Sequence, residues 1–156
     1  MKRALMIVAL GALMLALAAG VALAALRIGN DQPNKLFGTY GDNVGQDTLL
    51  GFGAGDLLVG RSAADQLAGG SGPDRLYGND GNDTLDGGPG RDRIFTGFGF
   101  DFVYAKDGYK DYINCNGHGN YRLVFDKNLD VLDKCPSPKS ATKSGTVEKD
   151  EQVVVN

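Results

Sequence analysis

Gly69-Gly70-Ser71-Gly72-Pro73-Asp74-Arg75-Leu76-Tyr77, Gly78-Asn79-Asp80-Gly81-Asn82-Asp83-Thr84-Leu85-Asp86 and Gly87-Gly88-Pro89-Gly90-Arg91-Asp92-Arg93-Ile94-Phe95 are three consecutive nine-residue units on one pattern. Each opens on Gly, carries Asp at its sixth place and an aliphatic residue at its eighth. Outward from this core the aspartate recurs every nine residues as Asp47, Asp56, Asp65, Asp74, Asp83, Asp92 and Asp101. The aliphatic follows in step as Leu49, Leu58, Leu67, Leu76, Leu85, Ile94 and Val103. Two interlocked ladders of this kind mark a repeat architecture in which no single unit can bury its own apolar face.

The first six positions, rich in Gly, Asn and Asp, make a loop, because Gly accepts the positive φ that tight turns demand. The last three alternate polar, aliphatic, polar, which reads as a very short strand with one side chain turned inward. Two units then complete one turn of 18 residues. Loops one unit apart fall on opposite edges, loops two units apart stack directly, and the aliphatic ladder fills a thin core between two parallel sheets.

Stacking decides the chemistry. Two carboxylates about 5 Å apart repel by about 3 kcal/mol at an effective dielectric near 20, and ordering a Gly-rich loop costs about 1–2 kcal/mol per residue. A divalent cation turns that repulsion into ligation, with loop carbonyls completing a shell of roughly six to eight oxygens. Ca2+ suits such flexible oxygen donors better than Mg2+, and a chain with one His and two Cys is a poor zinc protein. The ligand pairs expected first are Asp74 with Asp92, then Asp83 with Asp101, then Asp65 with Asp83 and Asp56 with Asp74, with Asp47 last. The alternative for each is a turn-capping Asp. In the outer units Ala54 stands at the fourth place, and Gly60-Arg61-Ser62-Ala63-Ala64-Asp65 lacks the inner Gly, which leaves calcium in the N-terminal turns open.

These units resemble the RTX, or haemolysin-type, calcium-binding repeats, whose nonapeptide is G-G-x-G-x-D-x-U-x; the resemblance runs over 38–114. It implies an all-β, right-handed parallel β-roll, an RTX-type solenoid, holding several Ca2+ ions. The ligands it implies are the sixth-place Asp residues together with backbone carbonyls, here those of Gly69, Gly72, Gly78, Gly81, Gly87 and Gly90. Repeats of this family often accompany a hydrolase or toxin domain, so the alternative is a fragment of, or an accessory to, such a protein.

The flanks follow from composition. Lys2 and Arg3 precede an uncharged Leu/Ala-rich stretch ending in Ala22-Leu23-Ala24, so 1–24 reads as a secretory signal peptide. The alternative is an uncleaved membrane anchor holding the chain to the outside of the cell; either way the remainder is exported, secreted or extracellular. Without Lys2 and Arg3 the chain has 14 basic against 19 acidic residues, 17 of them Asp, which excludes nucleic acid as a partner class and points to hard cations. Residues 25–37 read as an approach to the repeats. Oxidising surroundings favour a disulfide between Cys115 and Cys135, two free thiols being the alternative; closing that loop contributes about 3 kcal/mol.

After Tyr104 the spacing slips by one residue. The segment that follows is similar to the closing part of repeat proteins from actinobacterial secreted families, with 115–135 as a short disulfide-closed cap. Its loop 116–121 has no Asp at the ligand place, so no calcium is expected there. The aromatic residues crowded from Phe95 to Tyr121 read as cover for the end of the core, a sugar- or partner-binding surface being the alternative. From Pro136 on, the chain has neither period nor core material and reads as a disordered tail.

No His-Glu-x-x-His or Gly-x-Ser-x-Gly motif is present, Gly51-x-Gly53-x-Gly55 lacks the Lys and helix of a nucleotide loop, and no Asp-rich loop ends in the Glu of an EF-hand. The expectation is therefore a non-enzymatic calcium-folded structural or surface-interaction module, with calcium, and beyond it cell-surface polysaccharide or another surface protein, as partners. Contact with a membrane is expected only if the N-terminal segment is uncleaved.

Overall fold

A computed structural model describes residues 24–40, 45–116, 120–135 and 152–155. Among these the chain forms thirteen strands and no helix: β1 (Leu26–Asn30), β2 (Lys35–Phe37), β3 (Thr48–Gly53), β4 (Leu57–Ser62), β5 (Gln66–Ser71), β6 (Arg75–Asp80), β7 (Thr84–Asp86), β8 (Arg93–Phe98), β9 (Phe100–Ala105), β10 (Tyr112–Asn114), β11 (Asn120–Phe125), β12 (Val131–Asp133) and β13 (Gln152–Val155). Odd strands build one sheet in the order β1-β3-β5-β7-β9-β11-β13, and even strands build the other, β12-β10-β8-β6-β4-β2. The chain changes sheet after every strand through β12. The result is a parallel β-solenoid of about six turns.

Register follows the repeat. Leu49 pairs with Leu67 and Leu67 with Leu85 in one sheet, Leu58 with Leu76 and Leu76 with Ile94 in the other, each step being two units. Alternation along each strand sends the eighth-place side chain inward. Leu49, Leu58, Leu76, Leu85, Ile94 and Val103 are wholly buried, and Leu67 is nearly so. The two ladders meet as one core, which continues through Ile113, Cys115, Tyr121 and Leu123.

The strands are longer than the three residues the pattern suggests. In β3 to β6 and in β8 the ladder runs on into the first places of the next unit, so that Phe52 pairs with Gly70 and Asn79 with Gly97. Parallel neighbours 18 residues apart adopt the same turn, and equal turns extend each other's hydrogen bonding. The second place of each unit has positive φ whatever residue fills it: Phe52 (81°), Arg61 (87°), Gly70 (98°), Asn79 (71°), Gly88 (80°) and Gly97 (106°). Units that depart from the Gly pattern are thus bent into the shape of their neighbours by the stack.

Both ends differ in detail from the sequence expectation. The approach segment is a full turn: β1 and β2 pair with β3 and β4 at a stagger of 22 residues, Leu26 with Thr48 and Lys35 with Leu57. Arg61 braces this turn, its guanidinium 3.7 Å from the Tyr40 ring centre and its Nη1 donating to the Gly38 carbonyl at 2.8 Å. At the other end β10 pairs with β8 and β12 with β10 at a stagger of 19. A disulfide joins Cys115 to Cys135, and Asp133 accepts from Tyr112 Oη at 2.6 Å and from Asn114 Nδ2 at 2.7 Å.

Of the expected tail, 136–151 and 156 lie outside the described residues, while 152–155 form β13, antiparallel to β11 with Leu123 opposite Val154. A β-branched run meeting the unpaired backbone of an edge strand accounts for that pairing. Of the expected signal peptide 1–24, residues 1–23 lie outside the described residues; among those described, no helix is long and apolar enough to cross a membrane.

Candidate metal centre along the two edges

Each sixth-place Asp ends a turn at the base of the following strand, and the solenoid sorts these residues onto two edges. One edge carries Asp47, Asp65, Asp83 and Asp101; the other carries Asp56, Asp74, Asp92, Asp111 and Asp130. Along both, the backbone N–H of one Asp donates to Oδ1 of the Asp one turn further on. The bonds are Asp47 to Asp65 (2.8 Å), Asp65 to Asp83 (2.8 Å), Asp56 to Asp74 (2.7 Å), Asp74 to Asp92 (2.8 Å) and Asp83 to Asp101 (3.0 Å). All four pairs expected from sequence are brought together, joined through a backbone N–H.

The ladder does not stop with the regular units. Asp92 N–H donates to Asp111 Oδ1 and Asp111 N–H to Asp130 Oδ1, both at 2.9 Å. Asp111 and Asp130 were missed in the sequence because the spacing there is 19 rather than 18. The signal that finds them is the invariant Asp-x-aliphatic step, present as Asp111-x-Ile113 and Asp130-x-Leu132. On the other edge Tyr121 pairs with Asp101 and ends the series.

The second carboxylate oxygen separates these residues into two groups. Oδ2 of Asp56, Asp65, Asp74, Asp83, Asp92 and Asp111 is buried and accepts no hydrogen bond. In Asp47 that oxygen takes the Thr39 N–H at 2.5 Å and the Thr39 hydroxyl at 2.9 Å. The Asp101 carboxylate takes a hydrogen bond from Thr96, the residue that stands in the opening Gly place of its unit. Asp56 and Asp65, from units with irregular loops, therefore have the same geometry as the central residues, whereas Asp101 does not.

In the nine-residue units opening glycines shape the pocket around each free oxygen, whereas Lys106 holds that place before Asp111. A Cβ at Gly69 would collide with Asp74 Oδ2 and the Gly87 carbonyl oxygen, and one at Gly78 with Asp83 Oδ2 and the Thr96 carbonyl oxygen. Bare backbone there lets a carboxylate oxygen from one turn and a carbonyl oxygen from the next share one small space. Gly72, Gly81, Gly87 and Gly90 meet equally close neighbours, among them the carbonyls of Ala54, Ala63 and Gly72 and, at Gly87, Asp92 Oδ2.

The protonation of these carboxylates follows from their burial. Burial raises Asp65 and Asp74 to about 6, Asp83 and Asp92 to about 7 and Asp111 to about 8, with neighbouring carboxylates adding to the rise and the backbone N–H bonds opposing it. Asp101 and Asp130 are also raised, again chiefly by burial. Unpaired anionic oxygens in rows, beside carbonyls and with no softer donor at hand, fit a hard divalent cation.

Residues 59–94 and 68–103 match the RTX calcium-binding nonapeptide repeat family in its four-copy form. This stretch consists of RTX calcium-binding nonapeptide repeats. No curated protein and no solved structure matches the chain. The RTX match takes in the units from Asp65 to Asp101; Asp47 and Asp56 lie before it, and it stops short of Asp111, where the 18-residue step is lost. Calcium is the metal that RTX repeats bind, and a solenoid of such repeats is a structural calcium-binding fold.

Proposed function

We propose that this chain is an exported calcium-binding structural module whose solenoid is completed by several Ca2+ ions held between successive turns on both edges. The observation that carries the reading is the row of six buried carboxylate oxygens without hydrogen-bond partners, repeated at one place per unit. Without metal at neutral pH, folding would confine these like charges in a low-dielectric stack; with Ca2+ they become ligands. Extracellular calcium modules bind at about 0.1–1 mM, and at tenfold excess over its dissociation constant each site adds about 1.4 kcal/mol. Several sites together decide whether the thin core folds.

Export is supported by the character of 1–24 and by the disulfide, which belongs to oxidising compartments. The solenoid then serves as a structural or surface-interaction module, with cell-surface polysaccharide or a surface protein as its partner class. Circular dichroism of the chain without 1–24 during a calcium titration tests the folding step. β-signal should appear with Ca2+ and vanish with chelator; a signal indifferent to both would refute it. Calcium-dependent retention on cell-wall polysaccharide separates an interaction module from a plain calcium store.

A further inference from the structure

The irregular turn behind the last regular unit contains a cluster that the nonapeptide pattern does not. Both 19-residue turns carry Asp-x-x-x-Asp, as Asp107–Asp111 and Asp126–Asp130. By the pairing of Arg93 with Tyr112, Asp107 stands where the preceding unit has Gly88, so a carboxylate occupies a place that is bare backbone in the unit before. Backbone donors fix it: Tyr109 N–H on Oδ1 at 2.8 Å and Gly90 N–H on Oδ2 at 3.0 Å.

One carboxylate oxygen from each of Asp92, Asp107 and Asp111 lies within 4.8 Å of the other two, and among the described residues no other such trio forms. Asp92 and Asp111 are only 2% and 1% exposed, and each keeps one buried oxygen that accepts nothing.

We propose that Asp107 adds a third carboxylate to the Ca2+ site that Asp92 and Asp111 form between successive turns, making it tighter than the sites between regular units. The proposal rests on the calcium reading of the repeats. Affinity for Ca2+ rises with the number of charged ligands and the rigidity of the site. This site has a third carboxylate, and the disulfide-closed strands β10 and β12 hold the turn that presents it.

The test is a chelator-competition titration of the full chain with Ca2+, with bound ions counted by native mass spectrometry, on wild type and Asp107→Asn. Asp107 is half-exposed, outside the core and outside the Asp ladder, so the fold should survive. Wild type should bind one ion more tightly than the rest, and Asp107→Asn should weaken that ion about tenfold or more while leaving the others. Unchanged affinities in Asp107→Asn would overturn the proposal, as would a tightest ion that responds to Asp74→Asn instead. Should Asp107→Asn fail to fold, amide NMR of the wild type decides. The first equivalent of Ca2+ should move Gly90, Gly108 and Asp111 before Gly70 and Gly72, and any other order overturns the site. A wild type that binds no Ca2+ at all would sink the calcium reading of the repeats as well, an outcome distinct from binding that ignores Asp107.

Discussion

Ala63 holds a φ of +78° at the fourth place of its unit, where Gly72 and Gly81 occupy the same region at +122° and +146°. A Cβ in the left-handed region costs about 1 kcal/mol, and here the neighbouring turns impose it. Ala63→Gly should therefore raise stability in Ca2+ by about 1 kcal/mol, read as a higher melting temperature, despite the greater freedom that Gly gives the unfolded chain. An unchanged or lower melting temperature would mean that the turn relaxes in solution. The same reasoning applies to the irregular loops of Asp56 and Asp65, where the missing glycines left calcium open in the sequence; both carboxylates keep the unpartnered Oδ2 of the central units. At Asp101, by contrast, Thr96 supplies a hydrogen bond that the Gly pattern lacks.

At the level of elements, β10 and β12 are three residues each; β10 buries Ile113 in the core, but β12 leaves Val131 and Leu132 partly exposed, so its own burial contributes little. The Cys115–Cys135 bond, with Cys115 wholly buried in the core cluster, carries that end. Reduction, or Cys135→Ser with Cys115→Ser, should lower stability by about 3 kcal/mol, measured by denaturant unfolding at saturating Ca2+. A loss near zero would show that the ladder bonds of Asp111 and Asp130 suffice to hold the end.

The alternation of strands between two sheets, the inward aliphatics and the step of two units were all readable from residue spacing, because each unit repeats one physical arrangement. Three things were not. The length of the strands depends on hydrogen bonding between identical turns, which exists only after stacking. The turn built by β1 and β2, and β13 on the edge of β11, lie where no period announces them. The continuation through Asp111 was hidden by one inserted residue, although its Asp-x-aliphatic step was in plain view.

For the whole molecule the raised aspartates make the metal-free fold a creature of acid. Their folded values, from about 6 for Asp65 and Asp74 to about 8 for Asp111, lie above the value of about 3.9 in an unfolded chain. A raised carboxylate binds its proton more tightly in the folded state, so its contribution is whole below about pH 4 and is lost as pH rises through 6 to 8. In chelator, β-signal should thus be strongest near pH 4–5 and fade toward pH 8; with Ca2+ the dependence should reverse, because ligation requires the same oxygens deprotonated. Calcium binding near pH 7 should release protons, detectable by calorimetry in buffers of different ionisation enthalpy. A metal-free β-signal that instead grows from pH 5 to pH 8 would contradict the burial of these groups.

The hydrogen bond from each Asp N–H to the Asp one turn on spans 18 residues in the regular units and 19 beyond Asp92, and Ala25 N–H reaches Asp47 across 22. The stack therefore counts aspartates, not residues, and a loop can lengthen provided the next Asp returns to the column. Growth of the gene segment then has a parity. Adding two units would insert one rung of about 4.8 Å and leave every neighbour on its own side. Adding one between Tyr77 and Phe95 would exchange the two sides for everything N-terminal to it, parting Tyr77 from the Phe95 ring on which it now stacks.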